Sequence, residues 1–280
     1  MKQRGRSARE ADHVEARRTR QGGRALELFQ VAFLEVATAP KGLPLEQFVL
    51  KGGANLRLFH GSARRSVDMD FDYIGTAGRA DAFADRVDAI FASAALAALL
   101  RLRGIQVYDL RRHKQSPTTR RWKFGLDAEG VSGEPSKVEF SGRVAEGGHA
   151  DDHALAAIDA DLARRLHARQ VRLLRYGPRA AIAQKMGALR LRTHTEPRDV
   201  FDLAHLFREF PDALGAVGVA PDELQAARDR ALELRYDDYA EAVVPYLQEE
   251  LVELYGSKEA WTDMQLRVAQ QLELRLGVRR

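Results

Sequence analysis

Aspartates alternate with apolar residues in one short stretch, which reads VDMDFDY over Val67–Tyr73. This alternation is the period of a half-buried strand, so Asp68, Asp70 and Asp72 share one face. Consecutive positions on one face lie about 6.6 Å apart, which lets Asp68 and Asp70 lean together and hold divalent cations. Two cations about 3.5 to 4 Å apart stabilise the attacking and leaving oxygens of a phosphoryl or nucleotidyl displacement. The pattern predicts a metal site at Asp68 and Asp70, with an acid-bearing exposed strand edge as the alternative.

A glycine turn precedes the aspartates. Gly52 and Gly53 follow an apolar strand end and precede a helical pattern over residues 54–59. Glycine allows turn conformations that a Cβ disfavours, and backbone N–H groups at a turn and helix start can bind phosphate oxygens. The hydroxyl of Ser66 is also available to a phosphate. The stretch therefore predicts a nucleoside triphosphate between Gly53 and the carboxylates.

Several residue types in this stretch also match a known family in their order and spacing. The matching residues are Lys51-Gly52-Gly53, Leu56 and Arg65-Ser66-Val67-Asp68-Met69-Asp70-Phe71. Together they resemble the first motif of the AbiEii/AbiGii toxin family, which belongs to the DNA polymerase β-like nucleotidyltransferases and includes the MenT toxins. The resemblance implies an α+β fold, with a polymerase β-like nucleotidyltransferase core and a C-terminal helical domain.

The same resemblance implies the cofactor, the substrate and part of the site. The cofactor is Mg²⁺ or Mn²⁺ at Asp68 and Asp70, and the substrate is a nucleoside triphosphate. Residues with an implied nucleotide-binding role are Lys51, Gly52, Gly53, Arg65, Ser66 and Asp199.

A third carboxylate follows in the segment KVEF at Lys137–Phe140. Nucleotidyltransferases of this superfamily take a third carboxylate from a neighbouring strand, and Glu139 resembles it in position. Relatives usually carry Asp there, so the longer side chain changes the reach. A carboxylate so placed can take the proton of an attacking hydroxyl, and an ordinary surface acid on a strand is the alternative.

Two later segments resemble the family's remaining motifs. Lys185 lies in a helical pattern, and Arg198–Leu203 reads RDVFDL. In the family, a lysine reaches the nucleotide phosphates and an aspartate supports the site. The match favours Asp202 over Asp199 as that aspartate, since Asp199 is also suited simply to begin a helix.

The resemblance further implies an acceptor and a partner. Characterised relatives modify tRNA at its 3′ acceptor end and so block aminoacylation, which would make this chain a type IV toxin with an AbiEi-like antitoxin. Transfer to a small-molecule or protein hydroxyl and a non-catalytic RNA-binding module are the alternatives. Control by antitoxin binding and control by phosphorylation of Ser66 both stay open; a phosphate there would add charge beside the aspartates.

Composition sets broad limits. The chain has 280 residues, 45% of them hydrophobic, no cysteine and a formal charge of +4, which excludes disulfides and thiolate chemistry. Neither a membrane span nor a signal core is visible, so we expect a cytoplasmic protein. The predicted divisions are a basic segment over residues 1–24, a nucleotidyltransferase core over 25–150, and a helical domain over 151–280 that contributes Lys185 and Asp202.

Periodicity predicts the other elements. Helices are expected over residues 25–37, 79–101, 179–192, 224–234, 239–255 and a final stretch through Trp261 and Leu272. Strands are expected over 105–111, 118–126 and 137–140. Arginines and lysines cluster on the hairpin over 111–123 and again over 164–175, and both clusters could contact nucleic acid or be solvated surface.

Overall fold

One mixed sheet runs through the part of the chain that the computed structural model describes, residues 22–128, 131–142, 151–169 and 171–278. The sheet order within these residues is β3-β4-β5-β2-β1-β7-β6. Its strands are β1 Phe48–Lys51, β2 Met69–Tyr73, β3 Ile105–Ser116, β4 Thr119–Ala128, β5 Val131–Ser141, β6 His153–Ala157 and β7 Arg172–Tyr176. The fold is therefore of the mixed α and β class that the sequence predicts.

Two strand pairings bring distant motifs together. β2 pairs antiparallel with β1 and parallel with β5, and β5 continues antiparallel through β4 to β3. β2 is buried at Met69 and Phe71, whose side chains point away from Asp70 because faces alternate along a strand. One face of the central strands thus builds the core and the other carries the charged residues.

Helices cover the apolar face of these strands. They are α1 over residues 22–37, α2 Gly52–Phe59, α3 Ala80–Phe91 and α4 Ala94–Leu102. Phe29 of α1 lies 4.6 Å, centroid to centroid, from Phe124 of β4, and Phe83 of α3 lies 4.9 Å from Phe140 of β5. These buried aromatic contacts fix the sheet on which the polar residues stand.

The C-terminal part forms a second, helical core. Its helices are α6 Pro178–Leu191, α7 Pro197–Glu209, α8 Pro221–Glu233, α9 Tyr236–Ala242, α10 Val252–Tyr255 and α11 Lys258–Val278, whereas α5 Ala160–Arg165 packs into the first core through Leu162 and Ala163. Trp261 of α11 stacks on Tyr239 of α9, with centroids 4.4 Å apart. None of the helices in the described ranges is long and apolar enough to cross a membrane.

Two predicted helices are wrong in extent. The helix expected over 79–101 is two helices, because Ser93 caps α4 by accepting a hydrogen bond from the Leu96 N–H. The helix expected over 239–255 ends at Ala242; a 3₁₀ turn that contains Pro245 follows it, and then a second 3₁₀ turn leads into α10. Proline removes a backbone donor, so a regular helix cannot continue through that position.

The predicted division at residue 150 stays a prediction. Two of the described strands, β6 and β7, come from the C-terminal side of that position, and β7 pairs parallel with β1. The sheet therefore takes strands from both predicted domains. Most of the predicted basic segment over residues 1–24 lies outside the described residues.

Candidate active site

The site begins where β2 and β5 run side by side. In this parallel pair Asp70 lies opposite Glu139, and Lys51 lies opposite Asp70 on the other side. Asp68 precedes the first residue of β2, so the strand is shorter than the sequence predicts. The structure nevertheless brings Asp68, Asp70 and Glu139 to one face, because all three approach the same ammonium group.

That ammonium group belongs to Lys137 of β5. Its Nζ lies 2.6 Å from Asp70 Oδ1, 3.4 Å from Asp68 Oδ2 and 3.8 Å from Glu139 Oε2. Burial raises the pKa of Asp68. The positive charge of Lys137 opposes this rise, and the negative charge of the neighbouring Asp70 increases it. Burial lowers the pKa of Lys137, but Asp70 and Asp68 outweigh it and leave the pKa raised. The acids therefore hold a cation between them.

Glu139 has a second cationic partner. Arg121 of β4 lies opposite it in the sheet and donates from Nε to Glu139 Oε2 at 2.5 Å. Arg121 thus fixes the Glu139 side chain beside the two aspartates.

The glycine turn lies against the same acids. Gly52 has φ of +69°, and a Cβ there would lie 3.4 Å from Asp70 Oδ2. A Cβ on Gly53 would lie 2.8 Å from both Ser66 Oγ and Arg64 Nη2, which is closer than a real Cβ tolerates. Ser66 is buried, and its hydroxyl donates to the Asp68 carbonyl at 2.9 Å. The turn, the hydroxyl and the aspartates therefore lie side by side, and we call this group of residues the glycine wall.

Arg64 connects this wall to the helical core. Its guanidinium donates to both oxygens of Asp202 in α7, at 2.9 Å and 3.2 Å from Nη2. Lys185 of α6 lies 2.6 Å from Asp202 Oδ2 and 3.0 Å from Asp199 Oδ1. Burial raises the pKa of Asp202, but Arg64 and Lys185 more than offset it and lower the pKa to about 2. Asp202 is a buried anion whose direct partners are these two cations.

The other predicted residues pair with groups other than the three acids. The ammonium of Lys51 pairs with Asp72 rather than with Asp70. Arg65 donates to Glu27 and to the Leu247 carbonyl. Asp199 is fully buried between Lys185 and Arg192, with Arg192 Nη1 3.2 Å from its Oδ2.

Sequence reasoning missed Arg64 and the position of Lys137. Arg64 adjoins the motif residue Arg65, but its partner Asp202 is 138 positions away. Lys137 stands in the quoted KVEF segment, two residues before Glu139, and strand alternation could have placed both on one face. Arg198 at the start of α7 also acts on Asp68, since its positive charge opposes the rise in the pKa of that carboxyl.

The donor set suits a hard divalent cation. Asp68 and Asp70 offer carboxylate oxygens, which Mg²⁺ and Mn²⁺ prefer, while Glu139 beside them is paired with Arg121. Among the described residues no three such groups already stand in a metal-binding arrangement, and the Lys137 ammonium supplies the positive charge between Asp68 and Asp70. The residues fit the ion in chemistry.

Comparison with known proteins bears on the same residues. The family model described as "Nucleotidyl transferase AbiEii toxin, Type IV TA system", where TA denotes toxin–antitoxin, matches residues 36–276. This range contains every site residue discussed above. Nucleotidyltransferases generally use a nucleoside triphosphate and a divalent metal. No curated protein matches the chain.

Two solved structures from Helicobacter pylori share the fold. The crystal structure described as "putative nucleotidyltransferase from H. pylori" aligns at 20% identity over 93% of this chain and 98% of that chain, with a TM-score of 0.53. JHP933 from Helicobacter pylori aligns at 20% identity over 91% and 94%, with a TM-score of 0.51. The nucleotidyltransferase toxin MenT4 from Mycobacterium tuberculosis aligns at 17% identity over 95% and 87%, with a TM-score of 0.49.

Proposed function

The chain belongs to the AbiEii family of nucleotidyltransferase toxins, and we propose that it transfers a nucleoside monophosphate from a nucleoside triphosphate to the 3′ end of tRNA. One observation carries the proposal. A Cβ added at Gly52 would meet Asp70, and one added at Gly53 would meet Ser66 and Arg64, so the glycine turn lies against one of the paired aspartates and against two candidate phosphate-binding side chains. Transfer of a nucleotide needs phosphate-binding groups and metal-binding carboxylates within reach of the same triphosphate.

The triphosphate would bind along the glycine wall. The backbone N–H at Gly53 and the Arg64 guanidinium offer hydrogen-bond donors for phosphate oxygens, and the Ser66 hydroxyl would join them by exchanging its bond to the Asp68 carbonyl for one to a phosphate. Asp202 holds Arg64 in place, and Lys185 neutralises Asp202 from the other side. In this proposal Lys185 and Asp202 act by positioning Arg64, and Asp199 holds the Lys185 side chain in place through their ion pair.

The reaction itself would occur beside Asp68 and Asp70. A divalent cation held by these carboxylates would supply charge stabilisation for the displacement at the α-phosphorus. The acceptor oxygen forms a bond to that phosphorus, the bond to the β-phosphate oxygen breaks, and pyrophosphate leaves. Glu139, held in position by Arg121, takes the acceptor hydroxyl's proton.

A strip of cations on the same sheet face favours a polyanionic acceptor. Glu139 is followed across the strands by Arg121 and then Lys114, and Lys137 is followed by Lys123 and then Arg111. Lys114, Lys123 and Arg111 are exposed. Coulombic repulsion, first from Lys123, lowers the pKa of His113 beside them. The strip leads from the acids to the edge of the sheet and suits an RNA backbone.

The direct test is transfer of label. Purified chain is incubated with total tRNA, Mg²⁺ and each labelled nucleoside triphosphate in turn, and the RNA is resolved at single-nucleotide resolution. We expect label at the tRNA 3′ end, lost in Asp68→Ala. Label in small molecules or protein instead of RNA would refute the acceptor but keep the reaction. No transfer to any acceptor would refute the reaction.

Charge reversal tests the acceptor surface. Lys123→Glu should weaken tRNA use by about tenfold at moderate salt, because phosphate contacts depend on released counterions. Lys258→Glu on α11 is the matched control, since Lys258 is also exposed but lies outside the sheet. Equal losses in the two variants would contradict a specific role for the strip.

The antitoxin is the expected partner, as the type IV TA family implies. Co-expression with an AbiEi-like protein encoded beside this chain should relieve growth arrest. Mass spectrometry of the co-expressed chain would then distinguish binding from phosphorylation at Ser66, whose buried hydroxyl already donates to the Asp68 carbonyl.

A further inference from the structure

One cation in the active site has no part in the transfer scheme above. Lys137 Nζ is 2.6 Å from Asp70 Oδ1 and 3.4 Å from Asp68 Oδ2, the two carboxylates assigned to the metal. Glu139 lies farther from it, at 3.8 Å. Glu139 is already neutralised by Arg121, so the charge of Lys137 is directed mainly to the aspartates.

The sheet keeps Lys137 there by register. Val138 of β5 lies opposite Met69 of β2, which sets Lys137 beside Asp68 and Asp70 on the polar face. The Lys137 side chain keeps 22% of its surface exposed. The ammonium is therefore positioned between the aspartates while retaining a path to water.

We propose that Lys137 is an internal counter-cation that occupies the metal position between Asp68 and Asp70 until a divalent ion displaces it. Two aspartates this close repel each other when ionised, and a neighbouring ammonium offsets the repulsion without a metal. A divalent ion that binds the same oxygens must replace that ammonium. The inference rests on the proposed function, since it takes Asp68 and Asp70 as metal ligands.

The proposal has two linked consequences. Removing the ammonium should leave the metal-free protein less stable, because Asp68 and Asp70 lose the positive charge that lies nearest to them. It should also make a divalent ion bind more tightly, by about tenfold or more, because nothing has to be displaced. A residue that merely packs in the site would lower stability without raising metal affinity.

The experiment measures Mn²⁺ binding by the full chain after treatment with EDTA, using the electron paramagnetic resonance signal of free Mn²⁺. Wild type is compared with Lys137→Gln and with Lys137→Arg, which keeps a cation. Lys123→Gln is the matched control, because Lys123 lies opposite Lys137 on the neighbouring strand and makes no ion pair with either aspartate among the described contacts. Melting temperatures are recorded with and without Mn²⁺.

We expect Lys137→Gln to bind Mn²⁺ about tenfold more tightly than wild type, with Lys137→Arg and Lys123→Gln near wild type. Without metal, Lys137→Gln should melt at a lower temperature, and saturating Mn²⁺ should restore most of the loss. Unchanged or weaker Mn²⁺ binding in Lys137→Gln would overturn the proposal. If that variant does not fold, Lys137→Arg decides, since tighter Mn²⁺ binding there would contradict a retained counter-cation and wild-type affinity would support it.

Asp70→Asn separates this inference from the proposed function. If wild type binds Mn²⁺ and Asp70→Asn does not, the metal assignment stands and the lysine variants test Lys137. If Asp70→Asn binds Mn²⁺ as wild type does, the metal assignment fails, and the counter-cation role fails with it.

Discussion

Replacing Asp202 by asparagine tests the link between the helical core and the glycine turn. Asp202 has no exposed surface, and its Oδ2 lies 2.9 Å from Arg64 Nη2 and 2.6 Å from Lys185 Nζ. Breaking a buried ion pair by neutralising one partner costs about 3 to 5 kcal/mol, because an uncompensated charge stays buried. The lower end applies here, since Lys185 keeps Asp199 and an asparagine oxygen can still accept one hydrogen bond.

A loss of about 3 kcal/mol corresponds to a fall in melting temperature of about 6 to 12 °C for a protein of this size. Thermal unfolding followed by circular dichroism measures it. Asp212→Asn is the matched control, because Asp212 is exposed. A melting temperature of Asp202→Asn within about 2 °C of wild type would refute the reasoning.

The pH dependence sharpens this test. Burial raises the pKa of Asp202, but Arg64 and Lys185 lower it to about 2, below its value in the unfolded chain. The stability from this carboxylate is therefore fully present above about pH 4 and is lost as pH falls toward 2. The difference between wild type and Asp202→Asn should be constant between pH 6 and 8. A difference that changes across this range would contradict the assignment.

Three further predictions concern single residues. Gly53→Ala should weaken nucleotide binding by about tenfold or more in calorimetry, because its Cβ would lie 2.8 Å from Ser66 Oγ. Glu139→Gln should slow transfer by at least about 10²-fold in the labelling assay with Mn²⁺ affinity little changed, as loss of a general base requires. Burial lowers the pKa of His60 to about 4, although the Tyr176 carbonyl opposes this. The folded protein keeps His60 neutral, so its free energy of unfolding should fall by up to about 3 kcal/mol as the pH drops from about 6.5 to 4. Denaturant titrations of His60→Gln should show a smaller fall over the same pH range.

Local patterns predicted the centre of the site because its first motif is continuous in sequence. Alternation placed Asp68 and Asp70 on one face, and the resemblance to the AbiEii family is confirmed by the match over residues 36–276. The functional roles of the individual residues remain predictions. The sequence did not predict that Asp68 would precede the strand, since the alternation begins at Val67, two residues before the first ladder pair at Met69.

The ion-pair partners of the site residues were harder to predict than the helices and strands on which those residues lie. Arg64 and Asp202 are 138 residues apart, and nothing in a helical pattern identifies which cation a buried aspartate will meet. Lys185 shows the same limit, because periodicity places it on a helix without distinguishing a phosphate contact from an ion pair with Asp199. Such pairings depend on tertiary packing, which propensity and periodicity do not encode.

The loop that carries Arg64 and Ser66 also pairs with a segment far along the chain. Arg64 forms an isolated β-bridge with Leu247, and the Arg65 N–H donates to the Tyr246 carbonyl. These amides sit between the sheet and the helical core, so local loop fluctuations would not expose them. In hydrogen–deuterium exchange, peptides spanning residues 60–70 and 240–250 should therefore take up deuterium together, as one cooperative unit. If the sheet domain were expressed without the helical core, the loop that carries Arg64 and Ser66 would lose these backbone contacts.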